Sequence, residues 1–203
     1  MAIRRQVDVL NSRFEVQEIV DKYVYDTISV PPGSNNIKFF ETLGGKSDHQ
    51  AAFEGDKALV KEGRLFEVRF ILAQIVQHGV PFVPDKLDLG SFFDEGSFEW
   101  NVANVLFDED ILRRISGGVQ LRSQVDGPLA APLIGGFWGD ARHDNVRVYS
   151  IPKVIPGGRE VKFEVSWENA AGSRNTQDFD LQISMYGVEL VPVREVREQE
   201  MAA

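Results

Sequence analysis

Two segments near the end of the chain hold it to half-buried β-strands. In Glu160–Trp167, the residues Val161, Phe163, Val165 and Trp167 alternate with Lys162, Glu164 and Ser166. The same beat returns as Phe179, Leu181, Ile183 and Met185 against Asp180, Gln182 and Ser184. A period of two puts apolar side chains on one face of a strand and polar ones on the other. Joined across Asn169–Gln177, the two segments read as an antiparallel pair with one face on a core. They belong to a run of strands over Asn145–Val193 that also holds the turn Pro156-Gly157-Gly158. The expected class is all-β, a β-sandwich or barrel.

Upstream, Phe66, Val68, Phe70, Leu72 and Val76 share one face and Leu65, Ile71, Ala73 and Ile75 the other, so Arg64–Gln77 reads as a central strand buried on both faces. Tyr23–Val30 is β-branched and aromatic and stops at Pro31-Pro32-Gly33, and Ile37–Thr42 is a short strand. Ser12 and Glu15 have capping-box spacing, which predicts either a short helix over Arg13–Lys22 or an extended arm. Gly44–Gly63 reads as a long polar connection, with at most a turn of helix near Asp56–Val60. Between Pro84 and Gly139, Ser97–Phe107 and Val119–Val125 are the strand candidates, and Asp108–Ile115 is a helical turn or bend. Neither a repeat nor a linker divides the chain. The expected organisation is an N-terminal arm or short helix (1–22), one sandwich domain (23–193) and a C-terminal tail (194–203).

With 203 residues, 43% hydrophobic and 26% charged, the chain can bury a core in a single all-β domain. The absence of Cys excludes disulfides, thiol nucleophiles and cysteine-ligated zinc. Met1–Leu10 lacks the apolar core of a secretory signal and no run approaches a membrane span, so synthesis in the cytoplasm is the expectation. A net charge of -9 repels phosphate backbones, and only Met1–Arg13, through Arg4, Arg5 and Arg13, is locally basic.

Motif by motif, the chemistry is sparse. Gly44-Gly45-Lys46-Ser47 looks like the end of a phosphate-binding loop, but Phe40 stands where the pattern needs Gly. His49, His78 and His143 fall in no metal-ligand spacing, which leaves Asp140, His143 and Asp144 as the one local cluster. The acids Asp94-Glu95 and Asp108-Glu109-Asp110 read as solvated loops before they read as a glycosidase pair or calcium ligands. No G-x-S-x-G nucleophile elbow occurs. Trp167 continues an inward face, whereas Trp138, in Gly135-Gly136-Phe137-Trp138-Gly139, suits insertion into a partner or stacking on a sugar.

Three stretches together carry a resemblance. They are Leu59, Gly63 and Phe66 at the entry to the central strand, Ile151-Pro152-Lys153-Val154-Ile155-Pro156-Gly157, and Tyr186-Gly187 with Pro192-Val193. Their order resembles the single jelly-roll capsid and minor capsid proteins of icosahedral bacteriophages over Leu59–Val193. Tyr186 departs from the leucine of that pattern, and Asp85–Gly118 has no counterpart. The resemblance implies a jelly roll of about eight antiparallel strands with extended terminal arms. It implies a virion subunit that works by self-assembly, with other copies and other virion proteins as partners and no catalytic residues, cofactor or metal. Phe92, Phe93, Phe137 and Trp138 are then the interface anchors, and Arg4 and Arg5 the contacts to an inner partner or genome. The rivals are a carbohydrate- or receptor-binding sandwich that uses Trp138, and a cupin-like metalloenzyme.

Overall fold

The computed structural model describes residues 5–9, 12–41, 46, 51–52, 59–76, 89–116, 147–171 and 178–192, with side chains for 21–41, 46, 59–75, 92–116, 147–168 and 178–191. The described residues form ten strands: β1 (Arg5–Val9), β2 (Ser12–Val30), β3 (Ser34–Phe39), β4 (Ala51–Ala52), β5 (Leu65–Val76), β6 (Gly96–Val102), β7 (Val105–Ile111), β8 (Arg147–Pro156), β9 (Val161–Ala171) and β10 (Phe179–Pro192). A helix, α1 (Leu89–Glu95), precedes β6, and a 3-10 turn, Leu112–Ile115, follows β7.

All pairings are antiparallel. One sheet runs β1-β2-β10-β5-β8, with β4 added beside β2, and the other runs β3-β9-β6-β7. The inner faces of both supply a single core that contains Val24, Phe66, Leu181 and Ile183 from the first sheet and Phe39, Phe98, Trp100 and Phe163 from the second. The all-β sandwich expected from the alternation is what the chain forms.

Eight of the strands pair as a nested hairpin. β6 pairs with β7 at the tip, and β5 with β8, β3 with β9 and β2 with β10 follow outward. The tip is a two-residue turn, Ala103-Asn104, with both φ positive (51° and 65°), the geometry that matches strand twist in a tight hairpin. Wrapping the hairpin across the core adds the pairs β10·β5 and β6·β9.

Sequence alternation reports which face is buried and is silent about the neighbour, and two expectations change on that account. β9 and β10 do not pair with each other. They belong to opposite sheets and meet across the core. In β5 the register against β10 shifts between Tyr186 and Gly187, a bulge that reverses the facing of the residues beyond it. Phe66, Val68, Ile71 and Ala73 therefore share the main core, and Leu65 joins Val188 and Leu190 in a smaller cluster.

Arg13–Lys22, read from sequence as either a short helix or extended chain, is strand, as is Arg5–Val9 before it. β2 runs unbroken through Lys22, and β1 folds back on it with Arg5 opposite Val16. The β-branched Val16, Ile19 and Val20 suit a pleated ladder, and β10 pairs with β2 along most of its length, which overrides the local cap signal. Of Asp108–Ile115, expected as a helical turn or bend, Asp108–Ile111 is the end of β7 and Leu112–Ile115 is a 3-10 turn. Val119–Val125, Asp56–Lys57 and the tail 194–203 lie outside the described residues.

At the bulge beside Gly187 backbone packs as tightly on backbone as it does at Gly157. A Cβ at Gly187 would lie 1.9 Å from the Glu67 carbonyl oxygen, whereas one at Gly33 would meet nothing within 4 Å. Gly187→Ala is expected to lower unfolding free energy by at least about 1–3 kcal/mol. Gly33→Ala, with φ near +83°, is expected to cost about 1 kcal/mol through backbone strain alone. Urea denaturation of both variants checks the order.

Candidate functional site

β7 and β8 are the outermost strands of their sheets on the same side of the sandwich, and the densest cluster of charge among the described residues joins them. Alternation along β7 sends Asp108 and Asp110 to one side, and alternation along β8 sends Arg147 and Tyr149 toward them. Arg147 grips Asp108 with two parallel bonds, Nε to Oδ2 and Nη2 to Oδ1, both 3.0 Å. Its Nη1 donates to Asp110 Oδ2 at 3.1 Å, which also accepts from Arg114 at 2.9 Å. The Tyr149 hydroxyl donates to Asp108 Oδ2 at 2.7 Å. Beneath, Tyr149 packs on Trp100, which also meets Phe107 edge-on, and Lys153 sits 5.7 Å above the Tyr149 ring.

The electrostatics favour holding over reacting. Hydrogen bonding to Asp108 raises the Arg147 pKa above its ordinary value against the pull of burial. Burial first, then Asp108 as acceptor, drives the Tyr149 phenol far above its usual range, so it stays a neutral donor. Both carboxylates are consumed by charge-assisted bonds. The arrangement fastens one sheet to the other.

A second polar knot lies inside. Asp26, on the core-facing side of β2, is fully buried, accepts from the Phe40 amide at 2.7 Å and pairs with Lys46. Phe40 has left-handed φ (65°), and this bond fixes the chain as it leaves β3. The phosphate-loop-like Lys46 thus has a carboxylate partner. At the far end of β10, Glu189 accepts from Lys22 at 2.9 Å and Arg64 at 3.3 Å. On the first sheet's outer face, Tyr25, Tyr23, Tyr186 and Phe70 form a ladder of rings. Tyr23–Tyr186 and Tyr186–Phe70 are stacked at 4.3 and 4.4 Å, so those ring faces cover one another.

The candidates named from sequence fare differently. Phe92 and Phe93 are not surface anchors: they are 3% and 4% exposed. α1 turns them inward, where Phe92 meets Trp167 and Phe179 and its carbonyl accepts from Trp167 Nε1 at 2.8 Å. Trp167 is core, as expected. Phe137, Trp138 and Arg4 lie outside the described residues, as do His49, His78, His143, Asp140 and Asp144. Arg5 sits in β1, within the sheet and not on a free arm. Asp108 and Asp110 belong to a strand and not to a solvated loop, and Asp94 pairs with Arg113 at 3.0 Å. Among the described residues no three His, Cys, Asp or Glu side chains are placed to hold a metal, and no helix is long and apolar enough to cross a membrane.

Compared with protein-family models, curated proteins and solved structures, the chain matches none. The clamp itself is not evident in the sequence. Its trace there is the alternation of Asp108 and Asp110 after Leu106, which looks like a strand edge once β7 is recognised.

Two tests address these knots. Arg147→Lys gives up the two parallel bonds and Tyr149→Phe one donor. Each is expected to cost about 1 kcal/mol, the pair being partly open to solvent, and unchanged urea midpoints would show that the clamp carries no stability. Burial above all raises the Asp26 pKa, against bonds from Lys46 and Phe40 that lower it. A carboxyl whose folded pKa exceeds its unfolded value of about 3.9 contributes stability that is fully present below that value and lost as pH rises through the folded one. Asp26→Asn is expected to flatten stability against pH in that window, as read by thermal melts at a series of pH values.

Proposed function

We propose that this protein is a virion structural subunit, a capsid or capsid-associated protein of a bacteriophage, that acts by self-assembly and not by turnover. The observation that carries this reading is the nested hairpin. Strand orders β2-β10-β5-β8 and β3-β9-β6-β7 are what rolling one long antiparallel ribbon into two sheets would produce, which supports reading this sandwich as a jelly roll. Of the motif residues over Leu59–Val193 that suggested such a subunit, Phe66 falls on β5, Ile151–Pro156 on β8 and Tyr186, Gly187 and Pro192 on β10, while Leu59 and Gly63 precede β5.

The use of polar groups fits the same reading. Asp26, Asp108, Asp110 and Glu189 are each spent on fastening strands or turns. A shell subunit needs a stiff brick that keeps its shape while neighbours press on it, and bonds of this kind supply stiffness. Its place of action on this reading is the virion, after synthesis in the host cytoplasm.

Sedimentation velocity and electron microscopy of the purified chain test the proposal. The expected result is a defined oligomer or larger particles whose population grows with concentration. A monomer at every concentration and salt level would overturn it.

A further inference from the structure

Inside the sandwich, the contact of Asp26 with Lys46 has a chemistry that fastening alone does not use. The Asp26 side chain is wholly buried and that of Lys46 is 18% exposed, so the two groups meet out of water. Backbone on both sides fixes Asp26, with Ile183 of β10 opposite it in one direction and Ala51 of β4 in the other. Its two oxygens have different neighbours. Oδ1 meets Lys46 Nζ, and Oδ2 accepts from the Phe40 amide at 2.7 Å.

An ion pair in such surroundings keeps little of its attraction after desolvation, and one proton moved from Nζ to Oδ1 removes both charges. Burial acts in that direction on Asp26. The transfer leaves a neutral amine, which is a nucleophile, against a neutral carboxylic acid, which it can attack. Negative charge then grows on Oδ2, where the Phe40 N–H already donates, and that is the placement of an oxyanion donor. The other buried lysine pair differs. Glu189 is shared between Lys22 and Arg64, and a guanidinium does not give up its proton.

We propose that Lys46 and Asp26 are the two sites of an internal amide cross-link, an isopeptide bond that ties the chain beyond β3 to the middle of β2. The new bond joins Nζ to Cγ, and the bond from Cγ to Oδ1 breaks. Oδ1 leaves as water with two protons, the one transferred first and one from the attacking nitrogen. Ammonium and carboxylate thus balance against amide and water with no further reactant. The partial exposure of Lys46 gives the water a way out, and burial of Asp26 shields the product from its return. In the linked chain residue 26 no longer titrates, so the pH dependence given above for Asp26 belongs to the unlinked chain. The cross-link does not depend on the self-assembly reading.

Intact-mass spectrometry of the purified, denatured full chain, followed by tryptic mapping, tests the proposal. The wild type is expected to be lighter by one water than its sequence requires. Its peptides Tyr23–Lys38 and Phe39–Lys57 are expected as one branched species, uncut after Lys46. Lys46→Arg keeps the positive charge and loses the amine, so it is expected at full mass with the two segments separate, circular dichroism verifying its fold. A wild type at full mass overturns the proposal. So does a lighter chain whose two segments separate, or a loss of water that Lys46→Arg shares.

Discussion

Apolar contact between the two inner faces is the interaction on which the rest of this molecule depends. Phe163 of β9 lies at its centre, stacked on Phe98 at 5.3 Å and met edge-on by Phe39 at 6.3 Å, so β3, β6 and β9 are joined by rings as well as by backbone. Opposite them stand Leu181, Ile183 and Met185 of β10, all fully buried. Burying a side chain of this size is worth about 1.5–3 kcal/mol. The backbone ladders add direction, but without this contact each sheet would leave one face wet and would not hold its curvature.

Such a core seals the middle of the sandwich and leaves its margins to be closed by other means. Polar knots do this at two places, and a third ties strands within one sheet. Asp26 receives Phe40 and Lys46 where the chain leaves β3, Arg147 spans β8 to β7, and Glu189 gathers Lys22 and Arg64 inside the first sheet near the end of β10. Ion pairs out of water return little net stability, because desolvation offsets their attraction. Their use here is positional, since an apolar margin would allow the sheets to slide and a bidentate guanidinium does not.

This division explains what could be read in the sequence. Val161, Phe163, Val165 and Trp167 announce their burial because strand periodicity is a local property of the backbone, and the two-faced burial of Arg64–Gln77 announces an interior strand. Partners stay hidden. Nothing in β9 or β10 says that they lie in different sheets, because that is decided by the outer turns of the ribbon. Phe92 and Phe93 pass for surface anchors in the sequence because a short helix packed against Trp167 has no pattern long enough to show its inward face. The clamp is illegible because its members are not local. Asp108 and Arg147 are far apart in sequence, and only the fold brings their charges to one side.

The same clamp limits how such a brick could join others. An open strand at the margin of a sheet invites another strand, and where that addition is not closed by symmetry it runs on into fibres. Here Asp108 and Asp110 serve twice, accepting from Arg147 across the margin and from the amides of their own strand. Occupied donors on β7 and a broken ladder on β8 leave side chains as the means of contact on this side. Whether a side-chain contact closes or runs on is set by the rotation it imposes between copies. If the chain does self-assemble as proposed, the acids that hold the sandwich shut also occupy amides by which a neighbour's strand would pair with β7.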